Sequence, residues 1–453
     1  MDNWTIADRA ARAPQLPAAA ASAGEARGQD SRPASCGQPL RVALFSGNYD
    51  CVRDGANQAL NRLVAYLLDC AGAEVRIYSP TSRAPAFRSV GDIRSVASFA
   101  IPGRSEYRVA LGLTRAARRD LEAFRPNIVH VSAPDLLGRQ AQKYAKARGI
   151  PIVASLHTRF ETYLGYYGLS FLRPMVDRYL DRFYGASDRL LAPTPAIARE
   201  MADRHGAEKV AIWGRGVDRS MFHPRLRNEA FRSAKGYAPN DVVPLFFGRL
   251  VLEKGLDVFA ETIGMIRDRG FAVRPMIIGD GPARGWLAER LPNATFLGHM
   301  EGAELGMAVA SADLLINPSV TEAFGNVNLE AMASGLAILS ADVPSAAALI
   351  DDGRTGMLIT PHAPDAFAEA AVGLMENGAR RRALGAAASL AANRFSWSAA
   401  LGSVVDTYAA VLDQSPALGH DATMAKAGQR AGVQSWAQAY AGHGIRERAV
   451  DAG

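Results

Sequence analysis

Short runs of β-branched and apolar residues recur along the chain, each followed by a stretch in which apolar positions return every three or four residues. LRVALFS (40–46), EVRIYS (74–79), NIVHVS (127–132), PIVASL (151–156), RLLAP (189–193) and VAIWG (210–214) read as strands. Continuous apolar runs of this length suit strands buried on both faces, as in a parallel sheet covered by helices. A second series opens after His223-Pro224: VVPLFFG (242–248), RPMIIGD (274–280), ATFLG (294–298), DLLINP (313–318), LAILSA (336–341) and GMLI (356–359). The alternation predicts an α/β protein of two Rossmann-like, doubly wound sheets in tandem. Between the first two strands, Leu60, Leu63, Val64, Leu67 and Leu68 form one helical stripe that faces a sheet. Trp397, Leu401, Val404, Val405 and Tyr408 form another near the end of the pattern.

Composition sharpens this outline. With 453 residues, 49% hydrophobic and 21% charged, the chain is too long for one ordinary core and suits two. Residues 10–39 and 414–453 are poor in large apolar side chains and read as poorly ordered tails, with a short helix allowed at 435–441. Three cysteines (Cys36, Cys51, Cys70) make neither a CxxC pair nor an even framework, which fits a reducing cytoplasm. No apolar run reaches the roughly 18 to 20 residues of a membrane span, so neither insertion nor export is predicted. A net charge of +6 permits contact with an anionic membrane. No nucleic-acid-binding motif accompanies it, and no nucleic-acid partner is expected.

Candidate chemistry collects where strands end, beside helix N-termini that favour anions. FGRLVLEKG (247–255) places Arg249 and Lys254 just past a strand and at the mouth of the next helix, a pairing suited to a diphosphate. TEAFGNVNLEAM (321–332) puts Glu322 before a helix and Glu330 inside it. At about 1.5 Å of rise per residue, the two carboxylates stand several ångströms apart, the span of a sugar and a ribose rather than of one metal ion. Between them the amides of Ala323, Phe324, Gly325 and Asn326 form a helix N-terminus, with Gly325 admitting a phosphate or hydroxyl close to the backbone. The eight histidines include no HExxH and no D-x-D occurs, so neither metal nor other cofactor is called for. IIGDGP (277–282) lacks a third glycine at position 284, which is Arg, so NAD is disfavoured.

Taken together, these segments resemble the retaining glycosyltransferases of family 4, which have the two-domain GT-B fold; the resemblance runs from about Leu40 to Leu412. It implies an acceptor domain over 40–222, a nucleotide-sugar domain over 223–395, and a helix at 396–413 crossing back to the first domain, with hinges near 217–224 and Ser396. It implies that Arg249 and Lys254 bind the donor diphosphate, Glu322 the hexose hydroxyls and Glu330 the ribose hydroxyls. Leu297 and Met300 would flank the base, and Gly248, Gly279 and Gly281 would line the donor site. His157, in ASLHTRFETYLGYYG (154–168), matches the family's HT element and would contact the donor sugar across the cleft. The first loop, SGNYDCVRDGANQAL, departs from the family's common glycine-rich form; Gly47, Asp50, Arg53, Asp54 and Gly55, with Tyr163, are candidates for the acceptor side.

The resemblance implies retention of anomeric configuration. No acidic residue stands out as the nucleophile of a double displacement, which favours same-face attack with the leaving phosphate aiding deprotonation of the acceptor. Residues 81–125 carry nine arginines against four acids, with Phe87, Phe99 and Tyr107 among them, and suggest first-domain loops that rest on anionic lipid. A membrane glycolipid or diacylglycerol acceptor, reached at the inner face of the plasma membrane, is the leading expectation. A soluble or polysaccharide acceptor stays open, as does a sugar-nucleotide epimerase on the same fold. The donor would be a UDP- or GDP-sugar such as GDP-mannose, and the unit moved a hexosyl or hexuronosyl one.

Overall fold

The computed structural model describes residues 39–414, apart from Arg53, residues 102–103 and residues 158–169. Arg53, Tyr163, the rest of the aromatic segment through Leu169 and both tails therefore lie outside the described residues. The first sheet runs β3-β2-β1-β6-β7-β8-β9, formed by Asp92–Ser95, Glu74–Ser79, Arg41–Phe45, Ile128–Val131, Ile152–Ser155, Arg189–Ala192 and Val210–Ile212. All neighbours are parallel. A second parallel sheet runs β12-β11-β10-β13-β14-β15: Thr295–Gly298, Met276–Ile278, Pro244–Phe247, Leu314–Asn317, Ala337–Ala341 and Met357–Ile359. In each sheet the order reverses beside the first strand of its domain, β1 or β10, which opens a crevice at the carboxyl edge.

Both faces of each sheet are buried, as the unbroken apolar runs require. Along β1, Val42 and Leu44 enter one core while Ala43 and Phe45 enter the other. Along β10, Leu245 and Phe246 divide in the same way. The stripe on helix Gly55–Asp69 closes one face of the first sheet, with Leu60, Leu63, Val64 and Leu67 all buried. Helix Trp397–Asp413 joins that same core through Leu401, Val404, Tyr408 and Val411, so the end of the described chain packs on the first domain. Its Ser396 cap accepts from the Ala399 amide.

The segment 81–125 is more ordered than the loops expected from its sequence. It supplies β3, a hairpin of β4 (Ser98–Ile101) and β5 (Arg104–Ala110), and helix Arg115–Phe124. Part of its charge is spent locally: Arg94 meets Asp92, while Arg76 bridges Asp92 and Asp120. Among the described residues, no helix is long and apolar enough to cross a membrane.

Candidate donor-sugar site

Three helices aim their N-termini at one part of the crevice. Helix Leu256–Asp268 begins after Gly255, which takes a left-handed φ of 71° and packs against the Pro318 carbonyl. Helix Asn326–Ala333 begins after Gly325, at φ 91°, a turn that would strain any side chain bearing a Cβ. Helix Gly55–Asp69 comes from the opposite domain, and a Cβ at Gly55 would overlap the Asn326 side-chain amide. Two helix starts, one from each domain, thus meet across the cleft, where their partial positive charges sum. A buried amide ladder holds the second-domain loop in place. Asn317 donates to Asn328 at 2.9 Å, and Asn328 donates to Ser340 at 3.0 Å.

The two cations lie within this frame. Lys254 Nζ donates to Glu322 Oε1 at 2.5 Å, both side chains about one-fifth exposed. Arg249 Nη1 donates to the Tyr107 hydroxyl at 2.9 Å, reaching from the second domain to the β4–β5 hairpin of the first. Asp54 caps helix Gly55–Asp69 by accepting from the Asn57 amide at 2.8 Å. Burial raises its carboxyl above the usual range, against the pull of that amide and of the Arg249 and Lys254 charges. Glu322 thus offsets Lys254 directly, while Asp54 feels Arg249 and Lys254 only through space. Among the described residues, no three His, Cys, Asp or Glu side chains converge as a metal site.

Glu330 lies one helix turn beyond the loop, and burial pushes its carboxyl up to about 8, with Arg62 of the first domain opposing and Glu322 adding to the push. His157 follows β7, its Nε2 2.8 Å from Ser155 Oγ and its Nδ1 2.9 Å from Arg215 Nη2. Burial first, then Arg215 and His130, hold the ring well below its ordinary pKa, in the neutral form. Both ring nitrogens are thus engaged within the protein.

The remaining candidates divide. Gly279 and Gly281 let the loop after β11 pack directly on the carbonyls of Gly248 and Leu250, where any Cβ would overlap backbone. Leu297 and Met300 are half-buried against the second core. Phe324 is buried edge-on to Phe395, and Ala323 is half-buried beside it. In the first loop, a Cβ on Gly47 would crowd the Asp135 carboxylate. Asp50 is buried 3.4 Å from the Cys51 thiol, and that contact takes up its carboxylate. Tyr107 and Arg215 were not singled out by motif. Their partners are 142 and 58 residues away, and only the positive balance around Tyr107 hinted at that region.

Two parallel-sheet domains, a crossover helix and a cation-rich cleft define a glycosyltransferase of the GT-B class. Residues 241–377 match the model for glycosyl transferases group 1, and residues 53–220 that for glycosyltransferase family 4. The sulfoquinovosyl transferase SQD2 of Arabidopsis thaliana is 30% identical over 380 residues, 81% of this chain and 73% of that protein. A GDP-mannose-dependent alpha-mannosyltransferase of Mycobacterium tuberculosis is 31% identical over 330 residues, 72% and 84% of the two. Sucrose-phosphate synthase from Thermosynechococcus elongatus shares the fold with a TM-score of 0.68 at 17% identity, covering 83% of this chain and all of that one. The chain belongs to glycosyltransferase family 4.

Proposed function

We propose that the protein moves a hexosyl unit from a uridine or guanosine diphosphate sugar to an acceptor hydroxyl on a membrane lipid, retaining anomeric configuration and using no metal. The observation that carries this reading is the joint placement of Arg249, Lys254 and Glu322 beside the meeting helix starts. Arg249, Lys254 and the start of helix Asn326–Ala333, which no side chain caps, meet the diphosphate, so the charge that grows on the leaving group is neutralised by groups already in position. Glu322 exchanges its bond to Lys254 for hexose hydroxyls, and Glu330 takes the ribose. The leaving phosphate accepts the proton of the acceptor hydroxyl as the new bond forms on the same face.

Support for a lipid acceptor comes from the hairpin, where Phe99, Ile101, Val109 and Leu111 stay exposed on a first domain rich in arginine. An apolar surface flanked by cations suits the boundary between headgroups and acyl chains. One fold neighbour, WaaG, is described as a glycosyltransferase involved in lipopolysaccharide biosynthesis, at 20% identity and a TM-score of 0.60.

Glu322→Gln tests the site. Turnover should fall by about two orders of magnitude, in line with loss of a polar contact made to the transition state. Titration with UDP and GDP alone should show nucleotide binding within a few-fold of wild type. Near wild-type turnover would overturn the assignment of Glu322.

A further inference from the structure

Arg232 and Arg215 are both almost fully buried, and they are compensated differently. Arg232 donates to Asp313 at 3.1 Å, an ion pair that offsets the cost of burying its charge. Arg215 has no carboxylate within ion-pair distance among the described residues. Its Nη1 donates to the carbonyls of Trp213 and Gly214, at 3.1 and 2.9 Å, and its Nη2 to His157 Nδ1 at 2.9 Å. Its guanidinium also lies over the Trp213 ring at 5.1 Å. A buried cation with neutral partners is costly, and here its free donor is spent on a histidine at the sugar side of the cleft.

That contact fixes the direction of every proton behind it. A guanidinium has no acceptor, so His157 Nδ1 carries no hydrogen and Nε2 does. Nε2–H then donates to Ser155 Oγ at 2.8 Å. With that oxygen accepting, the Ser155 hydrogen goes to His130 Nε2, also at 2.8 Å. His130 is left with its hydrogen on Nδ1, which donates to Tyr408 Oη at 2.5 Å. Tyr408 belongs to helix Trp397–Asp413 and is fully buried. The line starts beside the hinge, where the Val217 amide donates to the Phe395 carbonyl, and ends in the crossover helix.

We propose that Arg215 is the positioning residue for His157: it fixes the ring as the neutral Nε2–H tautomer and, through Ser155 and His130, ties its orientation to Tyr408 of the crossover helix. The proposal rests on the reading of His157 as a donor-sugar contact. The groups facing the ring are Arg215 from the hinge, His130 from β6, Ser155 from its own strand and the Trp213 ring at 5.0 Å, with Asp54 within electrostatic reach of Arg215. Asp54 acts on the guanidinium, while Arg215 and His130 are the charged and titratable groups that act on the ring, which favours its uncharged form.

The test uses the full-length protein with nitrogen-15-labelled histidine. In the wild type, proton–nitrogen correlation spectra should show His157 protonated on Nε2 alone, with no titration from pH 5 to 8. A ring protonated on Nδ1, or titrating in that range, overturns the proposal without any variant being made. In Arg215→Met, where burial still holds the ring neutral, both tautomers should appear in the same spectra and kcat should fall about ten-fold, with the donor KM changed less than three-fold. Arg215→Lys, a donor without an acceptor, should restore the Nε2–H form and most of the turnover. A ring that keeps the Nε2–H form alone in Arg215→Met would mark Arg215 as merely structural and overturn the proposal. His157→Asn separates the two readings: normal turnover by that variant removes the sugar contact, while the tautomer result stands by itself.

Discussion

At the residue scale, Glu330 shows how the buried carboxyl proposed to hold the ribose weakens the fold it belongs to. Its ordinary value is 4.5 and burial lifts it to about 8, so the folded protein holds a proton there that the unfolded chain has already released. Stability from this group is therefore complete below pH 4.5 and is lost as pH rises through about 8. Thermal unfolding of Glu330→Gln across pH 4.5 to 8.5 should fall less steeply than that of wild type; equal slopes would show that Glu330 stays ionised. Titration should show weaker nucleotide binding by the variant as well, because an amide offers the ribose hydroxyls one acceptor oxygen where an ionised carboxylate offers two. The two glutamates and two cations were legible in the sequence because they fall in compact segments at strand ends. The contacts of Tyr107 and Arg215 were not, since each acquires its meaning from a partner on another element, while Asp54 was legible only as an acceptor-side candidate. Asp50, bracketed with Asp54 by sequence alone, is buried beside Cys51.

At the scale of elements, the strands proposed from apolar runs are all present, because parallel strands covered on both faces leave a dense signal. β3 and the β4–β5 hairpin left none: Phe99, Ala100 and Ile101 are exposed in succession, so neither a buried run nor a clean alternation marks them. Yet this hairpin brings Tyr107 to Arg249. Tyr107→Phe deletes one hydrogen bond to a charged group and should weaken nucleotide binding about ten-fold, leaving the melting temperature almost unchanged. Calorimetric titration with UDP and GDP checks it. The same element carries the lipid-facing reading. Phe99→Asp with Leu111→Asp should abolish salt-sensitive flotation with anionic vesicles while nucleotide binding persists; wild-type protein that fails to float would favour a soluble acceptor.

At the scale of the whole molecule, the two domains are joined twice, through the segment after β9 and through the return at Phe395 and Ser396. The two passes lie against each other at Gly216, where a Cβ would overlap the backbone of Ser396 and Trp397. Gly216→Ala should force them apart. Its expected signature is a wider radius in small-angle scattering and at least ten-fold slower turnover, with nucleotide affinity lowered about as much as by Tyr107→Phe because the reach from Arg249 to Tyr107 opens. Unchanged turnover and radius would mean that the hinge absorbs the methyl group freely. Saturating nucleotide should also protect the protein, by about 2.7 kcal/mol at a hundred times the dissociation constant.

The crossover helix also sets an order of assembly. Trp213, Leu60 and Leu63 wait for Leu401, Val404 and Tyr408, which are translated after the entire second sheet. On the ribosome, the later domain can close its cores while the earlier one still shows a bare apolar face. The domain made first is thus the one completed last, and a stop codon just before Trp397 would leave that face permanently uncovered.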